Sequence, residues 1–119
     1  MKRLMANLFC CACLTLATAA EASTSYDGQW NLIFFTQRGS CDPTYTFTVN
    51  VTDGIVSHPN LVKFSGYVAK SGAVRASVTV HEKYASGSGR LTGDSGRGNW
   101  TGRAGAERCS GYWTAQRGQ

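Results

Sequence analysis

Apolar and polar residues alternate along most of the chain after residue 26, which predicts an all-β fold. In the clearest stretch, residues 44–52, every second residue is apolar and the residues between them are threonine or asparagine. Such a strand buries one face and exposes the other to water. The alternation returns in residues 73–82, and Val62, Phe64, Gly66 and Val68 form a third apolar row. No segment shows a competing helical repeat.

Turn residues separate these stretches at roughly 8 to 12 positions, the spacing of short antiparallel strands. Thr52-Asp53-Gly54 and Lys70-Ser71-Gly72 predict tight hairpin turns, since glycine tolerates the positive φ that they need. The pattern predicts eight strands: Gly28 to Thr36, Tyr45 to Val51, Ile55 to Ser57, Leu61 to Ala69, Ala73 to Glu82, Ser86 to Thr92, Gly98 to Gly102 and Cys109 to Gln116. We expect a small antiparallel up-and-down β-barrel, with a β-sandwich as the alternative.

Glycine is concentrated in the C-terminal part of the chain. Nine of the 14 glycines lie between Gly87 and Gly118, several at alternate positions. In strands this pattern indicates sharp coiling, bulges or the close approach of backbone or an aromatic ring. We therefore expect these strands to bend strongly, as closure of a barrel requires.

The first 22 residues have the features of a secretory signal peptide. Lys2 and Arg3 precede an uncharged apolar run from Leu4 to Leu16, and small residues follow it. The run could instead anchor the chain, but Asn7 interrupts it and it is shorter than the ~20 residues that span a bilayer. We expect cleavage, no membrane span afterwards, and one all-β domain over residues 23–119.

Two of the five cysteines, Cys41 and Cys109, lie outside the predicted signal peptide. An even pair in an exported chain predicts a disulfide, formed in the oxidising space outside the inner membrane or the cell. We therefore expect a secreted or periplasmic protein. The bond would connect the first and last strands at one end of the fold.

The chain is mildly basic. Its net charge is +5, and loss of Lys2, Arg3 and Glu21 with the signal peptide would leave +4. The last 30 residues hold five arginines: Arg90, Arg97, Arg103, Arg108 and Arg117. A polyanion partner is conceivable. Solubility and protection of strand edges explain the same charges more simply, and a nucleic-acid partner is not expected.

The residues available for catalysis are few. His58 precedes Pro59, and His81 with Glu82 ends a predicted strand, without the spacing of metal ligands. Gly93-Asp94-Ser95-Gly96 copies the nucleophile sequence of chymotrypsin-like proteases, but the chain is too short for that fold and the four residues predict a turn. We expect no enzyme activity, no metal and no cofactor. A small hydrolase using loop carboxylates is the less favoured alternative.

The two ends of the domain resemble the calycin arrangement of lipocalins, avidins and bacterial metalloprotease inhibitors. Gly28-Gln29-Trp30 opens the first strand and Arg117 ends the last. The resemblance implies that Trp30 plugs one end of a barrel and that Arg117 packs across its indole.

Cys41-Asp42 follows the first strand, as it does in the small inhibitors of that group. In them the segment before the first strand inserts into the protease, which would give this role to Ser23, Thr24, Ser25, Tyr26 and Asp27. Nearly the full mature chain also resembles short secreted proteins of rhizobia-type bacteria. The shared elements are Gly-x-Trp, Cys-Asp-Pro, Gly-Ser-Gly-Arg-Leu and Cys-Ser-Gly-x-Trp, and they imply no activity.

Phe35 and Tyr112 lie on the strand faces opposite Trp30 and Trp113. They predict either an exposed patch for a protein or sugar, or a pair packed across strands or under a loop. The leading hypothesis is an exported, non-enzymatic, monomeric binding module, with protease inhibition as its most concrete version. A carrier of small ligands and an envelope- or polysaccharide-associated protein are the alternatives.

Overall fold

The computed structural model describes residues 26–60 and 63–118, which form a closed eight-stranded antiparallel barrel. The strands are β1 (Gly28–Arg38), β2 (Thr44–Thr52), β3 (Ile55–Ser57), β4 (Lys63–Val68), β5 (Ala73–Val80), β6 (Lys83–Thr92), β7 (Ser95–Ala104) and β8 (Glu107–Arg117). Each strand pairs with the next, and β8 pairs with β1. The predicted up-and-down barrel is confirmed and the sandwich alternative is excluded.

The signal peptide predicted for residues 1–22 lies outside the described residues, as do Ser23, Thr24 and Ser25. Within the described ranges, none of the secondary structure is a helix of the length and apolar character needed to cross a bilayer.

Strand bounds differ from the prediction mainly where glycine or a turn misled it. β7 is longer than expected because Gly96 pairs within the sheet, and β6 begins at Lys83 because residues 83–85 pair with both β5 and β7. β5 ends at Val80, since His81 and Glu82 form the turn to β6 and His81 has a φ of +56°. Leu61 and Val62, predicted to begin β4, lie outside the described residues.

The predicted turns are present. Asp53 and Gly54, with φ of 53° and 81°, join β2 to β3, a backbone conformation that suits the twist of a hairpin. Gly93 and Asp94 join β6 to β7, so the protease-like sequence is a turn. Antiparallel order places the 53–54, 69–72 and 93–94 turns at the end of the barrel where β1 begins, which we call the closed end. The 39–43, 81–82 and 105–106 turns lie at the opposite, open end.

The core is the apolar inner face of the strands. Its buried residues are Trp30, Phe34, Val49, Val51, Val56, Val68, Val78, Leu91, Trp100, Cys109, Trp113 and Ala115. The alternation predicted for β2, β4 and β5 is observed. The apolar residues of each row are at least as buried as the residues between them, as for Val49 in β2, Val68 in β4 and Val78 in β5. Burial of these apolar side chains is the main driving force for closing the sheet into a barrel.

Candidate functional site

Trp30 and Arg117 meet at the closed end. The guanidinium carbon of Arg117 lies 4.7 Å from the centre of the Trp30 ring. The two residues are register partners in the pairing of β1 with β8. Trp30 is 1% exposed, and its Nε1 donates to the carbonyl oxygen of Tyr26 at 2.8 Å. The cation therefore covers an indole whose polar group is already satisfied.

Hydrogen bonds from Arg117 tie three segments together over Trp30. Its Nε contacts Asp94 Oδ1 at 2.8 Å, and its Nη1 donates to the carbonyl oxygen of Asp27 at 3.0 Å. The backbone N–H of Arg117 also donates to the carbonyl oxygen of Asp94 at 2.8 Å. The cluster seals this end of the barrel.

Asp27 fixes the segment that precedes β1. Its carboxylate accepts hydrogen bonds from the backbone N–H groups of Asp53 at 2.8 Å and Gly54 at 3.2 Å. Tyr26 packs against Trp30 with ring centres 6.5 Å apart. These two residues of the predicted protease-binding segment are part of the barrel closure in this structure.

The deep interior is filled by Trp113, which lies over glycines of β6 and β7. A Cβ on Gly89 would lie 2.6 Å from Trp113 Cζ2, and one on Gly98 would lie 2.7 Å from Cε2. Only glycine leaves room for the ring there. Of the features that the glycine pattern could indicate, the close approach of an aromatic ring is present here. The deep interior retains a void of only about 50 Å³.

An aromatic layer separates this interior from the open end. Phe47 packs edge-on against Phe34 and Phe64, each with ring centres 5.6 Å apart, and Phe34 also packs against Trp100 at 6.0 Å. His58, beyond β3, packs on Phe47 and Phe64 at 6.2 Å and 6.5 Å. His58 is thus half-buried against aromatic rings rather than a purely solvent-facing side chain, because its ring covers apolar surface at the barrel end.

Above this layer lies a cavity of about 290 Å³, which we call the mouth pocket. Its walls are apolar and come from β2, β5, β6 and β7: Phe47, Val78, Val80, Ala85, Trp100 and Ala104. The volume is close to the lower limit of about 300 Å³ for small-molecule sites. The mouth pocket is therefore large enough for a small ligand, whereas the deep void is not.

The polar groups around the mouth pocket are hydroxyls and cations. Tyr45, Thr46 and Tyr84 contribute hydroxyls, and Lys83 and Arg103 contribute positive charge. No acidic side chain is among the described residues that line it. A carboxylate at the rim would meet two cations beside apolar walls.

The predicted disulfide lies at the same end. Cys41, in the β1–β2 loop, is bonded to Cys109 on β8 with Cα atoms 6.1 Å apart, and Cys41 lines the mouth pocket. The loop is further held by Thr36 Oγ1 donating to the Asp42 carbonyl at 2.6 Å and by the Asp42 N–H donating to the Tyr45 hydroxyl at 3.0 Å. The bond thus fixes one wall of the open end.

Phe35 and Tyr112 pack on each other on the outer surface of β1 and β8. Their rings stack with centres 4.7 Å apart and an interplanar angle of 16°. Tyr112 remains 37% exposed, and Ile33, also on the outer face of β1, is 36% exposed. The pair is packed across strands and still presents an apolar surface.

Sequence reasoning missed the mouth pocket. Lys83 precedes one predicted strand and Arg103 follows another, and no local pattern indicates that the two side chains meet at one rim. Only the barrel register brings their strand ends beside Tyr45 and Trp100. The composition shows that aromatic and basic residues are present, but not that they meet at the mouth pocket.

Within the part of the chain that the structure describes, no three His, Cys, Asp or Glu side chains cluster as a metal site would require. No family model, curated protein or solved structure matches the chain.

Proposed function

We propose that this protein is an exported, non-enzymatic module. In this proposal the mouth pocket binds a small amphipathic ligand with an apolar body and one anionic group. The observation that carries the proposal is the asymmetry of the barrel. One end is sealed by Trp30 and Arg117, while the other keeps a cavity of about 290 Å³ with apolar walls and two cations. An apolar body would fill the walls, and an anionic group would face Lys83 and Arg103.

The rigidity of the floor supports this role. Trp100 Nε1 donates to the Phe35 carbonyl oxygen at 3.1 Å, so the indole is held from both β7 and β1. The disulfide holds Cys41, which also lines the mouth pocket. A preformed pocket loses less conformational entropy on binding than one that must be ordered first.

The test compares decanoate with decanol by titration calorimetry on the oxidised protein. We expect decanoate to bind more tightly, and Lys83→Gln to weaken decanoate while leaving decanol unchanged. Lys63→Gln, on the outside of β4, is the charge-matched control. Val80→Trp should fill the pocket and abolish both, whereas Gln116→Trp, exposed on β8, should abolish neither. Binding that survives Val80→Trp would refute the proposal.

Protease inhibition is the second candidate, supported by the anchoring of Tyr26 and Asp27 at the closed end. These contacts fix the point from which residues 23–25 extend toward a protease cleft in this proposal. Capture of a secreted metalloprotease that is lost when residues 23–25 are deleted would support it. Capture that survives the deletion would contradict it.

A further inference from the structure

Charge is distributed unevenly over the outside of the barrel. Five arginines occupy outward-facing strand positions from β5 to β8: Arg75, Arg90, Arg97, Arg103 and Arg108. Arg103, at the open end, also borders the mouth pocket. The acidic residues of the described ranges lie in loops and turns or at the first position of β8: Asp27, Asp42, Asp53, Glu82, Asp94 and Glu107. The outer surface of these four strands, which we call the arginine face, is therefore basic along its length.

Two pairs of these arginines are direct cross-strand neighbours. Arg90 is opposite Arg97 between β6 and β7, and Arg103 is opposite Arg108 between β7 and β8. Like charges directly opposite each other destabilise a sheet. None of the five arginines forms an ion pair with another described residue, although Arg90 Nη1 donates to the Ser71 carbonyl oxygen at 3.1 Å.

Edge protection does not account for this arrangement, because a closed barrel has no edge strand. Of the two sequence-based explanations of the arginines, edge protection does not apply to these strands, and solubility stays a prediction. Solubility requires charge on the outer surface but not two arginines directly opposite each other, which lowers the stability of the sheet.

A groove of about 500 Å³ crosses the arginine face between the two arginine pairs. Apart from Ser65 on β4, its polar lining forms two rows of neighbours across β5, β6 and β7. One row is Arg75, Ser88 and Asn99, and the other is Ser77, Ser86 and Thr101. Small side chains bordered by long arginines produce the depression.

The chemistry of the groove matches a hydroxylated, anionic polymer. The Ser, Thr and Asn side chains donate and accept hydrogen bonds, and Arg75 lies within the same row. The one aromatic residue in the lining, Trp100, is 4% exposed, so the groove presents no open ring on which a nucleic-acid base could stack. A disulfide-bonded protein also belongs to a compartment where extracellular glycans are available.

We propose that the arginine face binds an acidic polysaccharide, with carboxylates paired to the arginines and sugar hydroxyls bonded in the groove. Guanidinium groups pair with carboxylates through two parallel hydrogen bonds, which favours arginine over lysine here. The groove lies on the outside of the barrel and the mouth pocket at its open end, although Trp100 lines both and Arg103 also borders the mouth pocket. Glycan binding to the groove does not require a ligand in the mouth pocket.

The test measures binding of fluorescently labelled polygalacturonate by anisotropy at two salt concentrations. We expect salt-sensitive binding that falls roughly tenfold in the Arg75→Gln, Arg97→Gln double variant, because charge-assisted contacts are lost. The Arg38→Gln, Lys70→Gln variant loses the same net charge outside the groove and should bind as the parent does. Ser88→Tyr adds no charge, fills the groove and should also weaken binding.

Equal loss in both double variants would show attraction to net charge alone and would overturn the proposal. Full binding by Ser88→Tyr would overturn the role of the groove. Tighter, groove-dependent binding of single-stranded poly(dT) would assign the face to nucleic acid instead. Thermal melting of each variant checks that the barrel remains folded.

Discussion

Trp100 donates a hydrogen bond from Nε1 to the carbonyl oxygen of Phe35, a residue 65 positions earlier in the chain. Trp100 is on β7 and Phe35 is on β1, so the indole crosses β8 to reach it. It crosses at Gly111, its register partner, where a Cβ would lie 3.0 Å from Nε1. One side chain therefore connects three strands at the seam where the first and last strands close the barrel.

Gly111→Ala should destabilise the protein because the added methyl collides with both the Trp100 ring and the Phe35 backbone. We expect a loss of about 2 kcal/mol or more in the free energy of unfolding, measured by chemical denaturation. Gly105→Asn is the control, since no atom lies within 4 Å of its added Cβ and asparagine tolerates its positive φ. A Gly111→Ala protein as stable as the control would contradict the crossing.

The sequence predicted more of the barrel than of its contacts. Alternation in residues 44–52 and the turns at Gly54 and Gly93 depend on neighbours along the chain, so they could be inferred locally. The Trp100–Phe35 bond depends on the register of three strands, which no local pattern specifies. The mouth pocket has the same cause: Lys83 and Arg103 become neighbours of Tyr45 only after closure.

Arg117→Lys should weaken the closed end. Lysine keeps the charge but lacks the planar group that stacks on Trp30 while donating to Asp94 and Asp27. We expect a loss of about 1–2 kcal/mol in unfolding free energy. Arg38→Lys, at an exposed position of β1, should change stability little. If the two variants melt alike, the Arg117 cluster is not the seal described above.

Loss of the disulfide should lower stability substantially. Cys41 and Cys109 are 68 residues apart, and a crosslink closing such a loop contributes about 4 kcal/mol in the chain-entropy model. The double Cys41→Ala, Cys109→Ala variant should unfold at lower denaturant concentration, and reductant should shift the parent but not the variant. Identical midpoints for the parent with and without reductant would argue against a stabilising bond.

Arg97→Glu should make the free protein more stable while weakening its binding to polygalacturonate. Arg97 faces Arg90 across β6 and β7, so the substitution replaces repulsion with attraction. Opposite-charge pairs contribute roughly 0.2–1 kcal/mol in such positions, and the gain should shrink as salt screens it. Denaturation at low and high salt measures this gain, and anisotropy measures the binding.

Arg38→Glu, which makes the same charge change outside the arginine face, should leave binding intact. A stability gain without a loss of binding would mean that the arginine pair serves neither folding nor the glycan. If Arg97→Glu raises the unfolding free energy and weakens polygalacturonate binding, the barrel retains a destabilising arginine pair because the ligand requires it.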